Sequence, residues 1–481
     1  MKFLTSVGSI VDSMGSALLG CSAVVMVTTF CKQFFTNFFT SLESIVDFFN
    51  NIMWTNNLLV VLLVSCGIIF TIKTRAVQFR LFKHMCKLLF EKSKVGKNQV
   101  SSFQAFCIST ASRVGVGNLA GVVAAVSVGG PGSVFWMWIV ALLSSATAYI
   151  EATVAILYRN KDPHGGYRGG AAYFIKNGLK LPFLSTIFVI FALICWAGVF
   201  QIISNSVTES FNTAFNIKPQ ITSLVLVVLS GIVLFGNRNK IVNVLDKLVP
   251  FMAGLYLIVV FFIIFKNIGL MKATIIDIVE HAFGVKQFLG GSFGAVVMQG
   301  VKRGLFSNEA GSGSAPCAAA AAEVEHPSKQ GLIQALGVLV DTIIICSATA
   351  FVILLSKGQI EEGLGGMTLL QEAFRVQVGE WGVIFTAVIL FLFSFSTILG
   401  ISFYAKPNLY FLSKKEWPQE LFKVFTLVML YIGGVRQNAL VWNLADLGLG
   451  LMTIVNIIGL TPLVSKAVDS LKDYEKTYLN S

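Results

Sequence analysis

Charge is scarce in this chain. Asp, Glu, Lys and Arg make up only 12% of its 481 residues, about half the share a soluble domain carries, while apolar residues reach 55%. So little charge over such a length excludes a string of soluble domains, and no low-complexity tract interrupts the chain. Proline is rare too, ten residues against 43 glycines and 41 phenylalanines. That balance suits packed apolar helices, in which glycine lets backbones approach closely. The four histidines (His84, His164, His281, His326) are far apart and form no H-E-x-x-H. The eight cysteines, at positions 21, 31, 66, 86, 107, 195, 317 and 346, contain no C-x-x-C pair. Zinc sites, disulfide frameworks and nucleophile–base pairs therefore lack their residues, and an enzyme is set aside. The net charge of +12 does not gather on an amphipathic segment with interleaved aromatics, so a nucleic-acid partner is excluded as well.

Long apolar runs are what the chain has. A membrane-spanning helix needs roughly 20 mainly apolar residues, and stretches near 57–73, 102–127, 133–158, 183–207, 220–236, 248–266, 288–322, 331–356, 382–412, 420–434 and 440–465 meet that test, eleven in all. A further stretch at 15–36, inside an N-terminal extension of residues 1–40, is interrupted by Lys32 and reads either as an extra helix or as a surface-lying segment. Residues 41–55 are amphipathic: Ile45, Val46, Phe48, Phe49 and Ile52 recur at helical spacing opposite Glu43, Asp47 and Asn50. Such a helix lies in the membrane interface, with Trp54 at headgroup level. The connection at 73–100 is dense in Lys and Arg, as are the loops around 159–180, 238–240, 406–415 and the tail 466–481. The alternate loops hold few, among them Lys218, Lys272 and Lys357. This alternation places the basic loops and the C-terminus in the cytoplasm.

Two spans contain sequence that a plain helix would avoid. The first is STASRVGVGNLAG at 109–121, with glycines 115, 117 and 121 around Asn118; the second is GVKRGLFSNEAGSGSAP at 300–316, with glycines 300, 304, 311 and 313 and Pro316. Glycine in a helix interior costs on the order of 1 kcal/mol relative to alanine, so both runs predict unwinding. Unwound backbone at membrane depth must be buried in protein or line a watery cavity, where its amides and carbonyls can meet an ion or a zwitterion. The breaks fall in the second and seventh spans, so each opens a half of five spans, 101–266 and 288–465. An odd number of spans gives the halves opposite orientation, and matching interrupted segments in inverted halves point to a transporter site at the midplane.

Ionisable residues at depth are expensive and functional by default. Arg113, Glu151, Lys302, Arg303, Glu309, Asp341 and Asp446 lie in or at the edges of the spans. Arg113 and Glu309 are candidates for a gate between the broken helices, and Glu151 or Glu309 for carrying a proton. Asp341 and Asp446 read as structural carboxylates satisfied by backbone amides or hydroxyls.

At these positions the sequence resembles the alanine/glycine:cation symporter family. The strings that carry the resemblance are VGVGNLAGV (114–122), GGPGSVFWMW (129–138), TAYIEA (147–152) and GVKRGLFSNEAGSGSAP (300–316), extended by HPSKQGLIQALGVLVDT (326–342), FSTILG (395–400) and WNLADLGLGLM (442–452). The resemblance implies an all-α polytopic fold, a LeuT-type 5+5 inverted repeat preceded by one extra helix at 41–73. It further implies sodium-coupled uptake of a small neutral amino acid by a monomer in the bilayer. By it, backbone at Gly115 and Gly117 with Asn118, then Phe306, Ser307 and Asn308, meets the substrate, with Gln201 and Ile401 completing the pocket. Sodium is held by Val114, Gly117, Ser396 and Thr397, hydroxyl and carbonyl oxygens suiting a hard cation. The chain departs from the family at Val116, where the family has threonine, at Ile401, where it has tryptophan, at Ile203, where a glutamine precedes S-N-S, and at Ala405-Lys406. These departures put the amino acid carried in question more than the ion. Proton coupling is the rival within the same fold; a channel, which needs a continuous polar lining, is the rival outside it.

Overall fold

The computed structural model describes residues 41–479 except 42, 92–98, 164, 237, 284–292, 362 and 436–438. The stretch at 15–36 and the rest of the extension 1–40 lie outside the described residues. Helix α1 (Glu43–Thr55) meets α2 (Leu58–Lys73) at a 41° bend, across the left-handed Asn57. Short helices α3 (Val77–Arg80) and α4 (Phe82–Leu89) follow. Next come α5 (Ser102–Arg113) and α6 (Gly117–Gly129), bent by 48°, then α7 (Gly132–Leu157). A two-stranded ribbon, β1 (Asn160–Lys161) and β2 (Tyr167–Arg168), leads to α8 (Ala171–Leu179). Then come α9 (Pro182–Phe215), α10 (Pro219–Leu234), α11 (Arg238–Lys266) and α12 (Ile268–Phe283). The second part holds α13 (Phe293–Asn308), α14 (Pro316–Ala321) and α15 (Pro327–Leu355). It continues with α16 (Gly366–Val378), α17 (Glu380–Leu412), α18 (Trp417–Val435), α19 (Ala439–Leu460) and α20 (Val464–Tyr478).

Local signals set many of these ends. Proline occupies the first turn of α9, α10, α14 and α15, where its missing N–H is not needed. Ser101 and Gln104 close a reciprocal capping box at the start of α5, satisfying two orphan amides.

Six helices are long and apolar enough to cross a membrane, and the two bent pairs raise that to eight. The other expected spans are helical but fall short of that length and apolarity: α10 and α13 have 16 residues each, and α18 carries Glu420 and Lys423. Phe251, Ile258, Phe262 and Phe265 of α11 are exposed, a surface that suits lipid and would be costly in water. Centrally, α7 packs along α15, α13 and α2; α9 packs along α19, α18 and α17; α5 lies between α17 and α11. The two interrupted segments are thus walled on all sides by helices.

The second glycine run corrects the sequence reading at one end. Gly300 and Gly304 remain helical in α13, and unwinding begins only at Glu309. Gly300 serves packing: a β-carbon there would stand 2.5 Å from the Trp136 β-carbon of α7.

Candidate functional site

Helix α5 ends at Val114, whose N–H still donates to Thr110 (2.6 Å) while its ψ of 83° leaves the helical range. The freed Gly115 amide donates to Oδ1 of Asn118 (2.8 Å), and α6 restarts through a π-turn at Gly117–Gly121, a form frequent at functional sites. Gly115 has no room for a side chain, since a β-carbon would overlap Thr397 Oγ1. The second break runs from Glu309 (φ 56°) through Gly311 and Gly313, both left-handed, to Pro316. Here the Ala310 amide donates to Oδ1 of Asn308 (3.0 Å). In both breaks an asparagine carbonyl oxygen thus replaces a lost helical acceptor, meeting the demand that buried amides be paired.

The two asparagines spend their amide nitrogens on neighbouring residues of α15. Asn118 Nδ2 donates to Asp341 Oδ1 (2.7 Å) and Asn308 Nδ2 to Thr342 Oγ1 (3.2 Å). Asp341 Oδ2 also accepts from Ser307 Oγ (2.8 Å) and Thr342 Oγ1 (2.9 Å). On the far side of the second break, Glu151 accepts the Gly311 amide (3.0 Å) and Asn456 Nδ2 (2.5 Å), and Asn456 Nδ2 lies 2.9 Å from the Gly311 carbonyl. Unwound backbone is therefore held from both sides by buried side chains.

Between the breaks lies a small cavity, lined from both interrupted helices and from α9, α17 and α19. Ser112, Gly117, Glu309, Ser312, Ser314 and Thr397 supply the polar part of its lining. Glu309 joins the two breaks, accepting from Ser112 Oγ (2.5 Å) and Ser314 Oγ (2.7 Å). Val116, Cys195, Trp196, Val199, Phe306, Ile401, Leu449 and Met452 make up the larger, mainly apolar part. A lining that combines a few polar groups with mostly apolar side chains is the mixture that small-molecule sites use.

The expected site residues divide into three groups. Gly117, Phe306, Ile401, Glu309 and Thr397 line the cavity. Asn118, Ser307 and Asn308 are fully buried behind it, around Asp341 and Thr342. Gln201 points elsewhere, its amide 3.2 Å from the Ala197 carbonyl and 3.5 Å from Met429 Sδ, against α18. Thr397 Oγ1 lies 3.1 Å and Ser396 Oγ 3.4 Å from the Ala111 carbonyl, both also within 2.9 Å of the Phe393 carbonyl. Oxygens thus gather beside Ala111, but among the described residues no group of three or more His, Cys, Asp and Glu side chains could hold a metal.

Two of the charged groups have partners other than those expected. Arg113 forms no ion pair with Glu309 among the described residues: its Nη1 donates to the Gln334 carbonyl (3.2 Å) on α15, while Glu309 is taken by the two serines. Asp446 is satisfied by cations, with Lys302 Nζ at 2.6 Å and Arg303 Nη1 at 3.2 Å. Ser112, Ser312 and Ser314 were legible as hydroxyls within the glycine runs. Trp196, Val199, Leu449 and Met452 sit in uniformly apolar spans that give them no distinguishing signal.

The comparisons with known proteins agree with this architecture. The sequence profile of the sodium:alanine symporter family matches residues 39–480. The chain is 43% identical to the "Probable sodium/glutamine symporter GlnT" of Bacillus subtilis, over 90% of this chain and 91% of that one. It is 39% identical to the amino-acid carrier protein AlsT of the same organism, over 92% and 93%. It is 34% identical to the sodium/alanine symporter AgcS of Methanococcus maripaludis, over 91% and 98%. With its profile matched from before α1 to beyond α20, the chain belongs to the sodium:alanine symporter family.

Proposed function

We propose that this protein is a secondary carrier that moves a neutral amino acid into the cell together with sodium, by alternating access. The observation that carries the reading is the cavity between two breaks, where polar Ser112, Glu309 and Thr397 share a lining with apolar Ile401, Trp196 and Met452. Relatives named for sodium with alanine or glutamine support the same chemistry. In this reading the halves 101–266 and 288–465 form an inverted LeuT-type repeat, eleven spans in all, with the C-terminus in the cytoplasm. Sodium sits near Ser396, Thr397 and the carbonyls of Val114 and Gly117. The amino acid's charged groups face Gly117 and the polar wall, and its side chain faces Ile401.

Ile401 is smaller than the indole the family has there, so the pocket takes amino acids from alanine up to the size of glutamine. Uptake into proteoliposomes under an inward sodium gradient, with potassium and proton gradients as controls, tests the reading. Accumulation of alanine or glutamine driven by sodium at fixed pH supports it. Accumulation that follows the proton gradient and ignores sodium overturns the choice of ion, and points to Glu151 or Glu309 as the carrier of the proton.

A further inference from the structure

Helix α1 exposes Ile45, Phe48 and Phe49, yet Trp54 on the same helix is only 1% exposed. An interfacial tryptophan ordinarily keeps its N–H near headgroups. Here the Nε1 of Trp54 donates to the backbone carbonyl of Asp446 on α19 (3.2 Å). Two further contacts run between the same helices: Asn50 Nδ2 donates to the Asn443 carbonyl (2.8 Å) and Asn443 Nδ2 donates to Asp47 Oδ1 (2.9 Å). Helix α1 is therefore fastened to the beginning of α19.

That beginning of α19 reaches the cavity through a short series of contacts. The Asp446 carboxylate, 1% exposed, holds Lys302 and Arg303 of α13. The Arg303 guanidinium lies over the ring of Trp442 at 4.6 Å, and that ring lies 5.5 Å from the ring of Phe306, which lines the cavity. Lys302 in turn stands 5.5 Å over the Trp54 ring. The spacing lets each helix present one face: 303 and 306 are three apart on α13, and 442 and 446 are four apart on α19. One carboxylate here compensates two cations that are nearly removed from solvent. Cations in such a setting are stable only while the acid is present, and without it each gains by moving to water.

We propose that Asp446, Lys302, Arg303 and Trp442 form the latch that closes the cavity toward the α1 face, and that α1 holds this latch shut through Trp54. The proposal rests on the carrier reading, since a latch matters only if the cavity must open. By the loop charges this face is the outer one. For the cavity to open there, Trp442 has to leave Phe306, and Arg303 is drawn with it or released from Asp446. The interfacial helix, which lies outside both halves of five spans, thereby bears on how easily the outer side opens.

Cys195 lines the cavity from α9 and reports access without any transport assay. A variant keeping Cys195 and replacing the other cysteines is reconstituted and treated, from each side in turn, with a membrane-impermeant methanethiosulfonate. Asp446→Asn and Trp442→Ala are expected to raise the labelling rate from the α1 face by about tenfold or more, a shift in open population of ordinary size, and to leave the opposite face unchanged. Asp446→Glu should restore the original rate, and Trp54→Phe, which keeps a ring but loses the N–H, should give an intermediate one. Unchanged labelling from the α1 face in monodisperse Trp442→Ala and Trp54→Phe proteins overturns the proposal, even if Asp446→Asn does not fold. Equal acceleration from both faces also overturns it, because that is general loosening. Labelling needs no substrate, so a failure of sodium-driven uptake would sink the carrier reading separately.

Discussion

The Nδ2 of Asn118, at the first break, donates to the Oδ1 of Asp341 on α15 across 2.7 Å, both residues being fully buried. Asn118 thus acts on the site through backbone geometry, with its side chain behind the cavity wall. Asn118→Ala removes both the acceptor of the Gly115 amide and the donor to Asp341. Leaving buried groups unpaired costs roughly 1–3 kcal/mol each, so lower thermal stability and uptake below about a tenth of normal are expected together. Thermal unfolding beside an uptake assay checks this. A fully stable variant with weakened substrate affinity would instead show direct contact with the amino acid.

The hydroxyls beside Ala111 make a different prediction. Thr397→Ala should raise the sodium half-saturation by about tenfold, the effect of losing roughly 1.4 kcal/mol of ligand interaction, with folding preserved. Uptake measured against sodium concentration decides it. An unchanged half-saturation in folded protein places the ion elsewhere.

Ile401 lines the cavity. Ile401→Trp should fill space and narrow the range toward alanine and glycine, since one methylene of fit is worth roughly 1–3 kcal/mol. Competition by a series of neutral amino acids before and after the change tests this. Wild type that already rejects everything larger than alanine would refute the enlarged pocket.

At the cytoplasmic side of the proposed topology, His84 Nε2 is 2.8 Å from the Tyr474 hydroxyl, joining α4 to α20. Burial pushes the His84 pKa below its ordinary value; Lys87 and Lys329 act in the same sense and Glu91 opposes them. A histidine with a depressed folded pKa contributes stability above its unfolded value, about 6.5, and loses it as pH falls through the folded value. Hydrogen exchange across α20 should therefore speed up on acidification below about pH 6.5, and His84→Gln should flatten that dependence. A pH response that survives His84→Gln would assign it to other groups.

Much of this was legible beforehand because it rests on composition and local chemistry. Gly115 and Gly117 announced the first break, and Gly311, Gly313 and Pro316 the second. The amphipathic pattern of residues 41–55 announced α1. What could not be read was the partner of each buried polar group, since partners come from distant segments. Arg113 and Glu309 look complementary in sequence, yet one meets Gln334 and the other Ser112 and Ser314. Gly300 and Gly304 looked like part of a break because helix packing and helix breaking use the same residue. Gln201 belonged to a pocket motif by position, but its face of α9 is turned to α18.

Because Asp341 and Thr342 are consecutive, the two interrupted helices are gripped at a single point of α15, Asp341 holding Asn118 of one and Ser307 of the other and Thr342 adding Asn308. Such an arrangement works like the yoke of a balance, in which a load on one arm is felt at once by the other. On the proposed carrier reading, a site filled at only one break would leave the yoke uneven, and both arms would swing together only with both loads in place. Tight stoichiometry can then be a matter of leverage over a single turn of helix, and a carrier whose yoke is loosened would slip, letting ion or amino acid cross alone.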